Sequence, residues 1–160
     1  MYFYKEWGLE FTIEFDITVT KVPAIRRNIF HFTIGGNDAQ YGDCIPAIFL
    51  KAKDRKIEIV SAVNGNQNHT LSVDYNRKQK HHVVIKQFKE EQRHIYEVAI
   101  DGKTVHRIPN EQARNFSNVK LYASDPWNKS LAGPGRGGIA QVENLEAVSG
   151  IEFIRTYSIL

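Results

Sequence analysis

The sequence predicts an all-β chain folded as a two-sheet antiparallel β-sandwich, and three observations carry that expectation. Hydrophobic residues recur with a period of two almost everywhere. Short apolar runs follow one another every 8–12 residues or so, with turn residues between them. No stretch keeps an amphipathic helical pattern over three turns; at most, residues 109–117 hold one short helical turn.

The elements follow in order. Tyr2–Glu6 alternates and reads as a first strand. In residues 9–19, Phe11, Ile13, Phe15, Ile17 and Val19 point one way, and Glu10, Thr12, Glu14, Asp16 and Thr18 the other. One face therefore packs and one meets water. Asn28–Ile34 is rich in Phe and Ile and stops at Gly35-Gly36. Pro46–Ala52 and Lys56–Ser61 flank a turn at Lys53-Asp54-Arg55, and His69–Tyr75 puts Leu71, Val73 and Tyr75 on one face. His82–Phe88 and His94–Ile100 flank the polar loop at 89–92. Asp101-Gly102 is the strongest local signal, because two such residues between alternating strands favour a type I′ hairpin. A regular ladder from that turn pairs Ile100 with Lys103, Val98 with Val105 and Glu97 with His106, leaving Val98, Ile100 and Val105 on the core face. Asn118–Ala123 and Ile139–Ala147 follow, and the alternating tail 151–157 is expected to pair with Tyr2–Glu6 and close the sheet.

With 160 residues, 42% of them hydrophobic, the chain is sized for one domain, 1–160, with a full core and adjacent terminal strands. The net charge is +3, from 21 basic and 18 acidic residues. That excess is too small for a nucleic-acid-binding face, and the basic groups around 51–56 and 77–86 read as solvated edges and turns. No apolar run is long enough for membrane insertion. A single cysteine, Cys44, excludes an internal disulfide, and the first residues lack the pattern of a signal peptide. Three sequons, at Asn68, Asn115 and Asn128, are glycosylation candidates and point to an extracellular or cell-surface location.

Catalytic patterns are incomplete. There is no Gly-x-Ser-x-Gly elbow. The run Gly133-Pro-Gly-Arg-Gly-Gly138 sits among strands and carries a proline, unlike a phosphate cradle. Glu14 and Asp16 share the solvent face of one strand at a spacing that suits a glycoside hydrolase. Many jelly-roll glucanases, however, carry a third carboxylate where this chain has Val19. His81 and His82 point to opposite faces, no His-x-His or Cys-x-x-Cys spacing occurs, and Glu97 with His106 reads as a sheet-face ion pair. No metal set and no cofactor are expected, apart from possible calcium at Asn37, Asp38 and Asp43 in one loop.

In an antiparallel sandwich alternate connections share one end. The loops at 35–45, 63–68, 89–92 and 110–117 then gather Asn37, Asp38, Tyr41, Asp43, Asn64 and Asn66, the preferred ligand-binding group. Amides, carboxylates and an aromatic ring suit sugar hydroxyls and C–H faces. The opposite loops, at 21–27, 53–55, 76–80, 101–102 and 124–138, gather Arg26, Arg27, Asp125, Trp127, Asn128 and Arg136 as a second group.

Four segments resemble the concanavalin A-like lectin and glucanase superfamily, in its laminin-G-like form. Trp7-Gly-Leu-Glu-Phe-Thr-Ile-Glu-Phe-Asp-Ile17 looks like the second strand of those sandwiches. Tyr96-Glu-Val-Ala-Ile-Asp-Gly-Lys103 is similar to a hairpin in their C-terminal half and in galectins. Asn118–Trp127 followed by Gly138–Leu145 is similar to their closing strands. The resemblance implies a jelly roll that binds glycans, proteoglycans or proteins. The galectin galactoside motif does not carry over: His31-Phe32-Thr33-Ile34-Gly35 lacks its Asn and Arg, and Trp7-Gly8 lies at the other end of the chain. The expected function is therefore non-catalytic recognition of a glycan or glycoprotein. The alternatives are a protein-interaction module of a larger surface protein and, more remotely, a glycoside hydrolase.

Overall fold

The computed structural model describes residues 1–124, 126–127, 138–150 and 152–158, and the side chains of 152 and 156–158 lie outside that description. Among the described residues twelve strands occur: β1 (Tyr2–Trp7), β2 (Phe11–Val19), β3 (Arg27–Thr33), β4 (Ala47–Leu50), β5 (Lys56–Val63), β6 (Asn66–Asp74), β7 (Lys80–Glu90), β8 (Arg93–Ile100), β9 (Lys103–Pro109), β10 (Phe116–Ala123), β11 (Ala140–Ser149) and β12 (Glu152–Ser158). They form two six-stranded sheets, a first in the order β1-β10-β3-β4-β5-β6 and a second in the order β12-β11-β2-β7-β8-β9. Every pairing is antiparallel.

Period-two alternation is what makes the sheets stack. Ile13, Phe15, Ile17 and Val19 of β2 are buried, and Phe15 meets Phe30 of β3 edge-on at 4.8 Å between ring centres. Tyr4 and Trp7 of β1 pack on Phe32, and the Tyr4 hydroxyl donates to the Ala147 carbonyl of β11. Further along, the Ser61 hydroxyl of β5 meets the Tyr96 hydroxyl of β8 at 2.6 Å. The strands thus face one another across the core, β3 over β2 and β5 over β8, with β6 and β9 outermost on one side.

The Asp101-Gly102 turn forms as expected, with φ of 50° and 79° at the two residues, and Ile100 pairs with Lys103. Beyond it the regular register fails. Ala99 pairs with Thr104, Val98 with His106 and Glu97 with Arg107, so Val105 is an extra residue in a bulge. Val105 is 41% exposed instead of lying in the core. Glu97 therefore pairs with Arg107 at 3.3 Å, not with His106, and His106 turns inward. Asp101 also anchors the turn to its neighbours. Its two carboxylate oxygens accept from the His81 ring Nδ1–H and the His82 backbone N–H, both at 2.8 Å. Asp101→Ala leaves the buried His81 donor unpaired and is expected to cost about 1–3 kcal/mol; urea unfolding measures it, and a change near zero contradicts this role.

Two other expectations are corrected. The tail does not pair with β1. Gly150 takes a φ of 60° just after β11, and β12 folds back on β11 instead. A hairpin closes a far shorter loop than pairing the two ends of the chain. β1 pairs with β10, and β1 and β12 are edge strands of opposite sheets that approach each other. Residues 110–115 form no helical turn. The Asn110 carboxamide accepts from the Asn64 and Gln112 backbone N–H groups and donates to Gln87, tying the segment to the strand ends.

Candidate functional site

Alternation along β3 sends Phe30 and Phe32 into the core and His31 and Thr33 to the outer side of the first sheet. Beside it, β4 is buried on both faces: Ile48 and Leu50 look inward, while Ala47 and Phe49 join Cys44 and Val60 in a second apolar cluster outside. Half of this outer face is therefore covered, and the cover builds a site.

His31 is fully buried there. Its Nε2–H donates to the Asp43 carbonyl at 2.6 Å, and its Nδ1 accepts from the Asn28 amide at 2.9 Å. Both ring nitrogens are thus used to fix the ring. Trp127 stands edge-on to it at 4.9 Å and lies 5.8 Å from Tyr122. On the other side, Phe49 meets His31 at 6.1 Å, and the Arg26 guanidinium lies 3.5 Å above the Phe49 ring. Arg26 Nε also holds the Glu58 carboxylate at 2.7 Å. The result is a continuous row, Trp127–His31–Phe49–Arg26–Glu58, in which Trp127 and Arg26 reach solvent at 38% and 46% exposure. Asn28 adds a buried carbonyl oxygen without a partner among the described residues. Burial, then the nearby Asp38 and Asp43 charges, pushes the Cys44 thiol up to about 12, which removes it as a nucleophile.

Arg26 and Trp127, from the second sequence-predicted group, are brought together by this row. Asp125, Arg136 and the Asn128 sequon lie outside the described residues. His31, Phe49, Glu58 and Tyr122 were missed. The available signal was the apolar run at β4, which marks a strand covered on both faces.

The first group gathers at the far end of β3, next to the row through the Asp43 carbonyl that His31 holds, and its polar atoms bind the chain itself. The Asp43 carboxylate, buried, accepts from the Gly36 and Gln40 backbone N–H groups. A Cβ on Gly36 would overlap that carboxylate and force it to move off its two backbone donors. The Asp38 carbonyl accepts from Gln67 and Asn68, and Cys44 contacts the Asn37 carbonyl. Asn64 donates to the Pro109 carbonyl and accepts from the Glu111 N–H, and Asn66 accepts from the Asn68 N–H. Tyr41 stacks on Phe116 at 6.0 Å, under the Arg114 guanidinium at 4.0 Å. Between the sheets here runs a narrow crevice lined by Trp7, Tyr41, Tyr96, Asn110 and Arg114.

On the outer face of the second sheet, Asp16 accepts from His82 Nδ1 at 2.8 Å and from the Asn144 amide at 2.9 Å. Glu14 Oε2 lies 3.9 Å from the other His82 nitrogen. Glu143 of β11 pairs across from Asp16 but is held by Lys80. Among the described residues, no group of three or more His, Cys, Asp or Glu side chains is placed to hold a metal ion.

No family model matches the chain, and no curated protein matches it. Solved structures do. A native heptameric SAP-like pentraxin from Limulus polyphemus matches over 92% of this chain and 66% of its own, with a TM-score of 0.56 at 13% identity. The chain has a concanavalin A-like jelly-roll fold. The marine PL7 alginate lyase AlyA1 from Zobellia galactanivorans matches over 91% of this chain and 65% of its own, with a TM-score of 0.53 at 13% identity. The binding domain of botulinum neurotoxin DC in complex with SialylT matches over 72% of this chain at 16% identity, with a TM-score of 0.51. This chain spans 28% of the length of that toxin chain. Binding domains and a lyase share the jelly roll, so function has to be argued from the site.

Proposed function

We propose that the chain is a non-catalytic, extracellular glycan-recognition domain whose binding surface is the outer face of the first sheet around Arg26 and Trp127. The row Trp127–His31–Phe49–Arg26–Glu58 carries this reading. An indole presents an apolar face to sugar C–H groups. The guanidinium and carboxylate at the other end of the row offer donors and acceptors for hydroxyls, already aligned by their mutual pairing. His31 is locked from both nitrogens, which holds the floor rigid and lowers the ordering cost of binding. The similarity to a toxin binding domain in complex with SialylT supports the reading. The exposed sequon residues Asn68 and Asn115 support the extracellular assignment.

A glycan array probed with and without calcium tests this. Binding is expected, and Trp127→Ala and Arg26→Ala should each weaken it about tenfold or more, a loss of roughly 1.4 kcal/mol. Asn37→Ala and Asp38→Ala should leave it unchanged. Silence in both conditions removes the glycan reading. Loss confined to the Asn37 and Asp38 variants moves the site to the first loop end, and loss on calcium removal implicates the carboxylates there.

A second reading is a protein-interaction module. Phe3, Val148 and Phe153 are exposed at the β1–β12 side, with Val148 and Phe153 paired across strands. Cross-linking in native extracts that captures a protein through these residues, with no glycan binding, favours it.

A further inference from the structure

β6 and β9 are the outermost strands of opposite sheets, and they face each other. His69 of β6 and His106 of β9 meet there. Their Nε2 atoms are 2.9 Å apart, with ring centres at 5.0 Å and planes 30° apart. The contact exists because the bulge at Val105 turns His106 inward. One imidazole donates its Nε2–H to the lone pair of the other, so a single proton occupies the gap between two basic nitrogens. The groups packed around the pair are uncharged: Tyr96 of β8 lies edge-on to both rings, at 6.3 and 6.2 Å, and its hydroxyl is engaged with Ser61 of β5. Among the described residues neither imidazole has a carboxylate partner. Burial holds both rings below the usual histidine range, and for His106 the neighbouring His69 adds to this. Both are therefore neutral near pH 7, the form that ligates metals.

The spacing is that of a chelate. Two metal–nitrogen bonds of about 2.0–2.1 Å, meeting at roughly 90–110°, set their nitrogens roughly 2.9–3.4 Å apart. The nitrogens need a shift of a few tenths of an ångström, and the rings a tilt that turns both lone pairs from each other toward a common point. Both residues are half-buried at the rim, which leaves the remaining coordination positions to water. We propose that His69 and His106 form a two-imidazole site for a first-row divalent transition cation such as Zn²⁺ or Ni²⁺, which ties the open edges of the two sheets together. Neutral nitrogen ligands favour such ions over Ca²⁺ and Mg²⁺. On binding, the donor ring's proton moves from Nε2 to its own Nδ1, so both Nε2 lone pairs meet the cation with both rings neutral, and acid competes by protonating the rings. His31 and His81 are not rivals, since both of their ring nitrogens are already bonded.

Histidine-resolved NMR of the intact chain with Ni²⁺ is the direct test. The His69 and His106 ring signals should broaden before those of the other four histidines. Thermal unfolding gives the second readout: Zn²⁺ should raise Tm, and EDTA should reverse the rise. His69→Gln and His106→Gln should each weaken Zn²⁺ binding about tenfold or more, by removal of one of only two protein ligands. The proposal is overturned if neither ring responds to millimolar Ni²⁺. It also fails if the Zn²⁺-induced rise persists in both variants. Should a variant not fold, the Ni²⁺ measurement on the unaltered chain decides alone.

Discussion

Phe32→Ala is expected to lower the unfolding free energy by about 3–5 kcal/mol, the usual cost of removing a buried aromatic ring from a core. Phe32 is fully buried, and its ring touches Trp7 at 5.2 Å, Tyr4 at 6.0 Å and Phe30 at 6.0 Å. These rings join β1, β3 and the second sheet, so the void opens between elements that cannot collapse on it independently. For a domain of this size the loss corresponds to a fall in Tm of roughly 6–20 °C. The variant also tests the proposed site, because His31 is the preceding residue and its position depends on the course of β3. Ligand affinity per folded molecule should fall as well. A Tm within about 2 °C of the parent shows that the sheets are not packed at this ring.

Acidification is expected to destabilise the fold in two separate stages. His69 and His106 titrate below the usual histidine range in the folded state, chiefly because of burial. Their contribution is therefore complete above the unfolded value, about 6.5, and is lost as pH falls below it. Protonation of both rings puts two cations head-on across the gap. The second stage belongs to Asp16 and Asp101. Burial alone raises their carboxyls, but hydrogen bonds from His82 and Asn144 to Asp16, and from His81 and His82 to Asp101, prevail and hold both below the usual range. That contribution is present above about pH 4 and disappears as pH falls through the lower folded values. Tm measured from pH 8 to pH 2 should fall first below about 6.5 and again below about 4. A double His69→Gln, His106→Gln variant should lose part of the first stage. In NMR titration of the parent both rings should protonate below the usual histidine range. Ordinary titration of both rings removes their part in the first stage.

Much of the fold was legible because a strand declares itself locally. Period two in β2, the Asp101-Gly102 turn and the glycines after β3 each act over a few residues, so the chain spells them out. The bulge at Val105 did not show. Either register of β9 satisfies the local pattern, and the choice depends on His106 finding room against His69 of the other sheet. The tail failed for a similar reason: alternation says that residues 152–158 form a strand, not which edge they join. The candidate site was half legible. Arg26 and Trp127 stood out by type, but their convergence on Phe49 and His31 depends on which side of the first sheet the loops cover.

The sequence by itself determined the class of fold, the places of the strands and the inward set of β2, since backbone periodicity and turn chemistry are local properties. Only the tertiary structure decided that the row from Trp127 to Glu58 is one surface and that His69 meets His106. Those contacts join residues far apart in the chain, and they arise only when two complete sheets stack and exclude water between them.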